Sequence, residues 1–423
     1  REAAARAGRP IAILQDLQGP KIRLGKFSTD AVALTTGATF AITTKPTLGS
    51  SERASTTYVH LAADVKPGDR ILLSDGAVSL TVEATDGETV SCRITAGGTI
   101  RGNAGLNLPG VALSAPALTD RDIADLDFGV SLGVDAIAIS FVRRAVNLAI
   151  ARTRLHTHGA TTPLIAKIER PEAIDDLGAI LDAADGVMVA RGDLAVEISP
   201  ERVPILQKEI IRAANARGKL VITATQMLES MTKSPRPTRA EASDVANAVL
   251  DGTDAVMLSG ETAVGDYPVE TVAMMSAICR EVEESAIYRA LPAPTLTRTP
   301  SSSELACAAS AVVAARDLGV STIACFTHSG ATAALLSDLR PRASILALTP
   351  SSDTFHRLAL TFGVTPVLVP LERDTDAMVA LVERTVIATG TAKPGDTVII
   401  TMGVPVMTRE RTNLLKIHQL PVR

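Results

Sequence analysis

Lys167 and Glu169 lie two residues apart in the stretch "LIAKIERPE", Leu164 to Glu172. The stretch opens as a buried β-strand, and side chains alternate across a strand. The two charges therefore project from one face, with Ile165 in line behind them. A strand covered on both faces is expected to stay apolar to its end. Other apolar runs also end in polar residues. "GVMVARGDLAVE" runs into Arg191-Gly192-Asp193, "LVITATQMLES" reaches Thr225, and "DAVMLSGETA" reaches Ser259-Gly260-Glu261. Upstream, Asp16, Lys21 and Arg23 follow the strand-like "IAILQ". Among these positions Glu169, Asp193, Lys167, Lys21, Arg23 and Thr225 predict a ring of two acids, two lysines, an arginine and a threonine.

Such a ring suits metal-assisted phosphate or enolate chemistry. Glu169 and Asp193 supply two hard oxygen donors, which Mg²⁺ (or Mn²⁺) prefers, and leave coordination positions for water and substrate. Lys167 beside them can hold a negative oxygen that shares the metal. If Gly192-Asp193 opens a helix, its backbone adds amide donors for a carboxylate or phosphate. The competing reading is a plain buried ion pair between Lys167 and Glu169, although such pairs add little to stability. The sequence contains no G-x-x-x-x-G-K-[ST], so a nucleotide would not be held by a P-loop.

Ring residues need strands that end together. From Val111 to about Tyr288, strand-like runs ("DAIAIS", "LIAKIE", "GVMVA", "LVITAT", "DAVMLS") alternate with helical segments. That rhythm predicts a parallel sheet, either barrel or doubly wound, with its chemistry at the C-terminal strand ends. Between about Phe27 and Pro109 the chain is rich in Thr, Val and Gly, with turns at "KPGD", "SDG" and "TDGE". This reads as a small all-β unit inserted into the sheet protein. "LPAPTLTRTPSSSE" reads as a linker, and a second α/β series of about five strands follows it. Within that series "ACFTHSGATAALL" is a strand, a turn and a helix start. There Thr327, Ser329, Gly330 and Thr332 are candidates to bind the phosphate of a sugar-phosphate or nucleotide effector, or else are simple helix caps.

The 423 residues suffice for large cores, and 46% hydrophobic with 21% charged residues fits a globular chain. A net charge of -4 argues against a nucleic-acid partner, and no apolar run reaches membrane-spanning length. The cysteines Cys92, Cys279, Cys307 and Cys325 form no C-x-x-C. They read as reduced thiols of a cytoplasmic protein. "REAAARAGRP" reads as the tail of a helix already under way, so the chain is expected to begin inside a domain.

The motifs "DLQGPKIRLG", "SFVR", "IAKIERPEAIDDL", "VMVARGDLAVE", "VPILQKEII", "TATQMLESM" and "PRPTRAEASDVANAVLDGTDAVMLSGETAVGDYP" together resemble the pyruvate kinase family. The likeness spans the whole chain. It implies a (β/α)₈ TIM barrel (1–26 and 110–290), a β-barrel lid inserted at 27–109, and a C-terminal α/β regulatory domain at 300–423. The implied reaction moves a phosphoryl group from phosphoenolpyruvate to ADP, giving pyruvate and ATP. By the same resemblance, Glu169 and Asp193 hold Mg²⁺, Lys167 stabilises the phosphoryl group in flight, and Arg23 contacts that group. Asp75 belongs to the lid over the nucleotide. Thr225 lies near the enolate carbon, either binding substrate or serving a proton relay. A cytoplasmic homotetramer is the family expectation.

Several departures stand out. The family's first strands and its "N-F-S-H-G" segment are absent, so only six of eight barrel strands are expected, and a chain truncated at Arg1 is expected to be inactive. Ala195 replaces a usual glycine, and "GVPVMTRERTN" replaces a glycine-bearing loop, which puts effector specificity in question. Asp16-Leu17-Gln18-Gly19-Pro20-Lys21 stands where K⁺-dependent relatives read "D-T-K-G-P-E". The expectation is that Lys21 supplies the charge that K⁺ would bring, so that K⁺ is not required. The alternatives weighed are a Mg²⁺-dependent aldolase or lyase acting through a pyruvate enolate, and an inactive chain with only an assembly role.

Overall fold

The computed structural model describes residues 1–292, 294, 296–297, 302–406 and 411–422. Six parallel strands pair in chain order: β1 (Leu14–Asp16), β2 (Ala136–Ile139), β3 (Leu164–Ile168), β4 (Gly186–Ala190), β5 (Leu220–Ala224) and β6 (Ala255–Val256). Helices cross between β2 and β6, including Ala145–Thr157, Leu177–Ala183, Val203–Ala216 and Arg239–Leu250.

The period-2 alternation sorts these strands into two cores. Ile137, Ile139, Leu164, Ala166, Ile168, Val187 and Val189 pack outward against Leu148, Leu155, Ile180 and Ile210 of the helices. Ala136, Ala138, Ile165, Met188, Ile222 and Ala224 form the inner cluster. Lys167 therefore continues the inward row begun by Ile165, one residue pair from the strand end.

β1 is shorter than "IAILQ" suggests. Ile11 and Ile13 are 50% and 39% exposed, and the Ile13 N–H donates to the Asp135 side chain at 2.6 Å rather than to a ladder. The turn after β1 is tightly built. Gly19 has φ 68°, and a Cβ there would stand 2.7 Å from Phe141 Cδ2. Its N–H donates at 2.9 Å to Asp122 Oδ1, and Asp122 also closes the capping box of helix Asp120–Ser131.

Between β1 and β2 sits the all-β unit. A six-stranded sheet (Arg53–Ser55, Thr39–Thr43, Thr89–Ala96, Val78–Thr85, Arg70–Leu73, Leu106–Asn107) adjoins a two-stranded ribbon, Ala31–Leu34 with Gly98–Arg101. Phe40, Ile42, Ile71, Leu73, Leu80 and Ile94 fill its core. The segment returning to the barrel is strapped down by Arg143, which donates to Leu113 O and Ala115 O, both at 2.5 Å.

The C-terminal sheet has β7 (Thr322–Phe326), β8 (Ser344–Thr349), β9 (Val364–Leu368), β10 (Thr397–Met402) and β11 (Leu414–Gln419) in the order β9-β8-β7-β10-β11. The last strand is antiparallel. Part of the linker (293, 295, 298–301) and part of the loop before Thr412 (407–410) lie outside the described residues. Arg340 joins this unit to the barrel. Its Nη2 donates to Gly252 O and Asp254 Oδ1, both at 2.8 Å, and its guanidinium lies 4.2 Å from the Phe362 ring centre. Burial pushes the Asp254 carboxyl above its usual range, and Arg340 pulls it back. Breaking one side of such a buried pair costs about 3–5 kcal/mol.

Candidate active site

The Lys167 ammonium is the centre of the strand-end ring. It donates to Ser140 Oγ at 2.8 Å and to Asp16 Oδ1 at 3.1 Å, and lies 3.1 Å from Glu169 Oε1. Three strand ends, those of β1, β2 and β3, thus converge on one nitrogen. Burial alone would lower the Lys167 pKa, but Glu169 and Asp16 more than offset it, so the pKa ends above its usual value and the ammonium stays charged. Glu169 is 1% exposed, and its Oε2 accepts the Phe141 N–H at 2.9 Å. Phe141 reaches that position with φ 55°.

Asp193 enters from the neighbouring strand, in the first turn of helix Arg191–Glu197. β3 and β4 run in register from Ile165↔Gly186 to Ile168↔Val189, which places Glu169 and Asp193 at adjacent strand ends. Burial raises both carboxyls. Lys167 draws each down, while Asp193 pushes Glu169 up, and Asp75 and Asp16 push Asp193 up. Lys21 also lowers Asp193. Among the described residues no three His, Cys, Asp or Glu side chains form a metal cage by themselves. The donor set fits Mg²⁺ nonetheless, since that ion commonly takes one or two carboxylates and completes its shell with water and substrate oxygens.

A cleft of about 330 Å³ opens beside these groups, lined by Lys21, Arg23, Asp75, Asn107, Arg170 and Asp193 among others. Its roof belongs to the all-β unit. Asp75 sits in the turn after Arg70–Leu73 with φ 55°, and Arg23, exposed, donates to Asn103 O at 3.2 Å. Leu17, by contrast, turns into the outer core at 2% exposure. Thr225, just past β5, has φ 72°, which costs a β-branched residue of order 1–3 kcal/mol. Its Oγ1 accepts the Gly192 N–H at 2.7 Å. Glu261 is fully buried and accepts from Leu228 N and Ser259 N, so it closes a turn and does not join the ring.

In the C-terminal unit, helix Ala331–Asp338 starts after Gly330, whose φ is 90°. Thr327 Oγ1 accepts the Gly330 N–H at 2.9 Å, and Thr332 Oγ1 is 2.5 Å from Thr412 Oγ1. Both threonines are buried, while Ser329 is exposed. Two features escaped the sequence reading. Ser140 touches Lys167, and the polar end of "DAIAIS" was a signal for it. The buried pair Arg170–Glu197, 2.7 Å apart, lines the cleft floor. Nothing local in the sequence announces that pair.

A parallel α/β sheet with a lysine, a buried carboxylate (Glu169) and a half-buried one (Asp193) at its strand ends, beside a cleft lined by Lys21 and Arg23, is an arrangement suited to a metal-dependent enzyme of phosphorylated small molecules. The family pattern "Pyruvate kinase, barrel domain" matches residues 1–272, and "Pyruvate kinase, alpha/beta domain" matches 305–418. A pyruvate kinase of Mycobacterium tuberculosis is 45% identical over 424 residues, covering 99% of this chain and 88% of that protein. One from Corynebacterium glutamicum is 45% identical over 420 residues, covering 99% and 87%. A crystal structure of a pyruvate kinase from Cryptosporidium parvum superimposes with TM-score 0.90 at 36% identity, covering 100% of this chain and 86% of that one. The chain belongs to the pyruvate kinase family. It is a phosphotransferase of glycolysis, uses phosphoenolpyruvate and ADP, and depends on a divalent metal. That assignment replaces the aldolase or lyase reading. Among the described residues no helix is long and apolar enough to cross a membrane.

Proposed function

We propose that the strand-end ring carries the phosphoryl transfer, with roles divided among its residues. The observation that carries this reading is the Lys167 ammonium, held between Asp16, Ser140 and Glu169 with Asp193 on the adjoining strand. Glu169 and Asp193 are the residues to hold Mg²⁺ (or Mn²⁺), which when bound supplies positive charge to the phosphoryl and carboxylate oxygens. Lys167 and Arg23 stabilise charge on the phosphoryl group as it leaves the enol oxygen for the β-phosphate of ADP. Asp75 and its turn cover the nucleotide side and exclude water. The bond to the enol oxygen breaks, the new P–O bond forms on ADP, and the enolate left behind takes a proton at its terminal carbon to give pyruvate. Thr225, with the Gly192 N–H filling one acceptor site, has its own O–H free to bind that enolate or relay the proton.

The domain division given above (1–26 with 110–290, 27–109, 300–423) belongs to this reading and is supported by the separate sheets. So do cytoplasmic location and a homotetramer, the latter to be decided by sedimentation equilibrium of the full-length enzyme.

Lys21 lines the cleft and acts on Asp193, while Leu17 turns away. A K⁺ placed beside Lys21 would meet like-charge repulsion. The full-length enzyme is therefore expected to be fully active in Tris buffer free of K⁺. Lys21→Glu should lower that activity roughly tenfold, with part restored by added K⁺. Strong K⁺ activation of the unmodified enzyme would refute the assignment.

For the effector, the exposed Ser329 and the helix start at Gly330 support a phosphate site, with Thr327 and Thr332 shaping the turn. Calorimetry on the full-length enzyme with sugar phosphates and nucleoside monophosphates is expected to show binding that Ser329→Asp abolishes. Silence toward all of them would leave these residues as caps.

A further inference from the structure

Thr225 and Gln226 are consecutive residues with positive φ, 72° and 53°, a backbone that a β-branched side chain resists. The segment is held there from the neighbouring strand. Arg191, the residue after β4, donates from Nη2 to Thr225 O at 2.7 Å and from Nε to Ala224 O at 3.3 Å. Its Nη1 lies 2.6 Å from Asp244 Oδ2 on helix Arg239–Leu250 and 3.4 Å from Gln207 Oε1 on helix Val203–Ala216. The next residue, Gly192, holds the Thr225 hydroxyl, and the one after it is Asp193. Both ends of Thr225 are thus gripped by the segment that carries the second carboxylate.

We propose that Arg191 is a positioning residue for Thr225. Anchored by Asp244, its guanidinium fixes the Ala224 and Thr225 carbonyls, and so sets where the Thr225 hydroxyl stands relative to Asp193. This rests on the reading of Thr225 as the residue beside the enolate. The planar fork is what the task requires, because it meets two carbonyls and a carboxylate at once; a lysine offers one point charge on a flexible stem. Asp244 lies in the "RAEASDVANAVL" helix, far from the cleft in sequence, and this contact gives it a part in the site.

The test compares Thr225→Val, Arg191→Met, Arg191→Lys and the Arg191→Met/Thr225→Val double in the full-length enzyme. The readouts are kcat, KM for phosphoenolpyruvate, and exchange of the pyruvate methyl protons in D₂O with ATP present. Thr225→Val and Arg191→Met are each expected to lower kcat and exchange by ~10- to 100-fold, the size of a misplaced group, with KM changed by less than about threefold. Arg191→Lys should resemble Arg191→Met. The double should be no slower than Thr225→Val, because the arginine acts through the threonine. Losses that multiply in the double, or wild-type exchange in Arg191→Met, would overturn the inference alone. Wild-type turnover in Thr225→Val would remove the reading of Thr225 and this inference with it. If Arg191→Met fails to fold, Asp244→Asn with and without Thr225→Val makes the same comparison.

Discussion

Lys167→Met in the full-length enzyme is expected to lower turnover by ~10³-fold, the upper range for losing one preorganised charge at the reacting group. Its effect on the apparent affinity for Mg²⁺ should be far smaller, since the ammonium acts where charge develops and methionine keeps the shape of the side chain. The substitution also strands Glu169, which is buried and loses the lysine that draws its carboxyl down. Glu169 is then left buried without its charge partner, so a modest fall in the urea midpoint of the metal-free protein accompanies the loss of turnover. Kinetics at several Mg²⁺ concentrations, beside a urea titration, separate the two effects. Turnover within tenfold of wild type would remove Lys167 from the mechanism.

Asp193→Ala should abolish most phosphoryl transfer, again by ~10³-fold or more, on the scale of a lost Lewis-acid contribution of several kcal/mol. Its effect on the fold is expected to have the opposite sign. Burial and the neighbouring Asp75 and Asp16 hold the Asp193 carboxyl above its usual range, against the pull of Lys167 and Lys21. A carboxyl raised in the folded state favours folding only while protonated, and that contribution is lost as pH rises through the folded value. Near neutral pH the ionised Asp193 therefore works against the metal-free fold. Removing it should leave the urea midpoint of the metal-free protein unchanged or higher. An inactive yet equally stable variant is the signature of a functional site bought at the expense of stability. Near-normal turnover of Asp193→Ala at ordinary Mg²⁺ would defeat the assignment.

The pairing of Lys167 with Glu169 was legible in the sequence because strand alternation is local and strict, and the structure puts both on the predicted face. The ring itself was legible because polar residues ended several apolar runs, and parallel strands bring such ends together. What could not be read depends on contacts between distant segments. Thr332 meets Thr412, eighty residues on. Arg170 reaches Glu197, and Arg191 reaches Asp244. Leu17 gave no hint of its direction, since that is set by the turn at Gly19 and its fit against Phe141. The shortening of β1 has the same origin, because the Asp135 side chain takes the N–H that a longer strand would use.

The most direct test follows phosphorus itself. In ³¹P NMR of the full-length enzyme with phosphoenolpyruvate, ADP and Mg²⁺ in K⁺-free buffer, the phosphoenolpyruvate signal should decay as the ATP γ-phosphate signal grows in equal amount. Glu169→Ala and Asp193→Ala, each with unchanged circular dichroism, should show neither change on the same timescale. Equal rates in the wild type and both variants would contradict the claim that these strand ends carry the reaction.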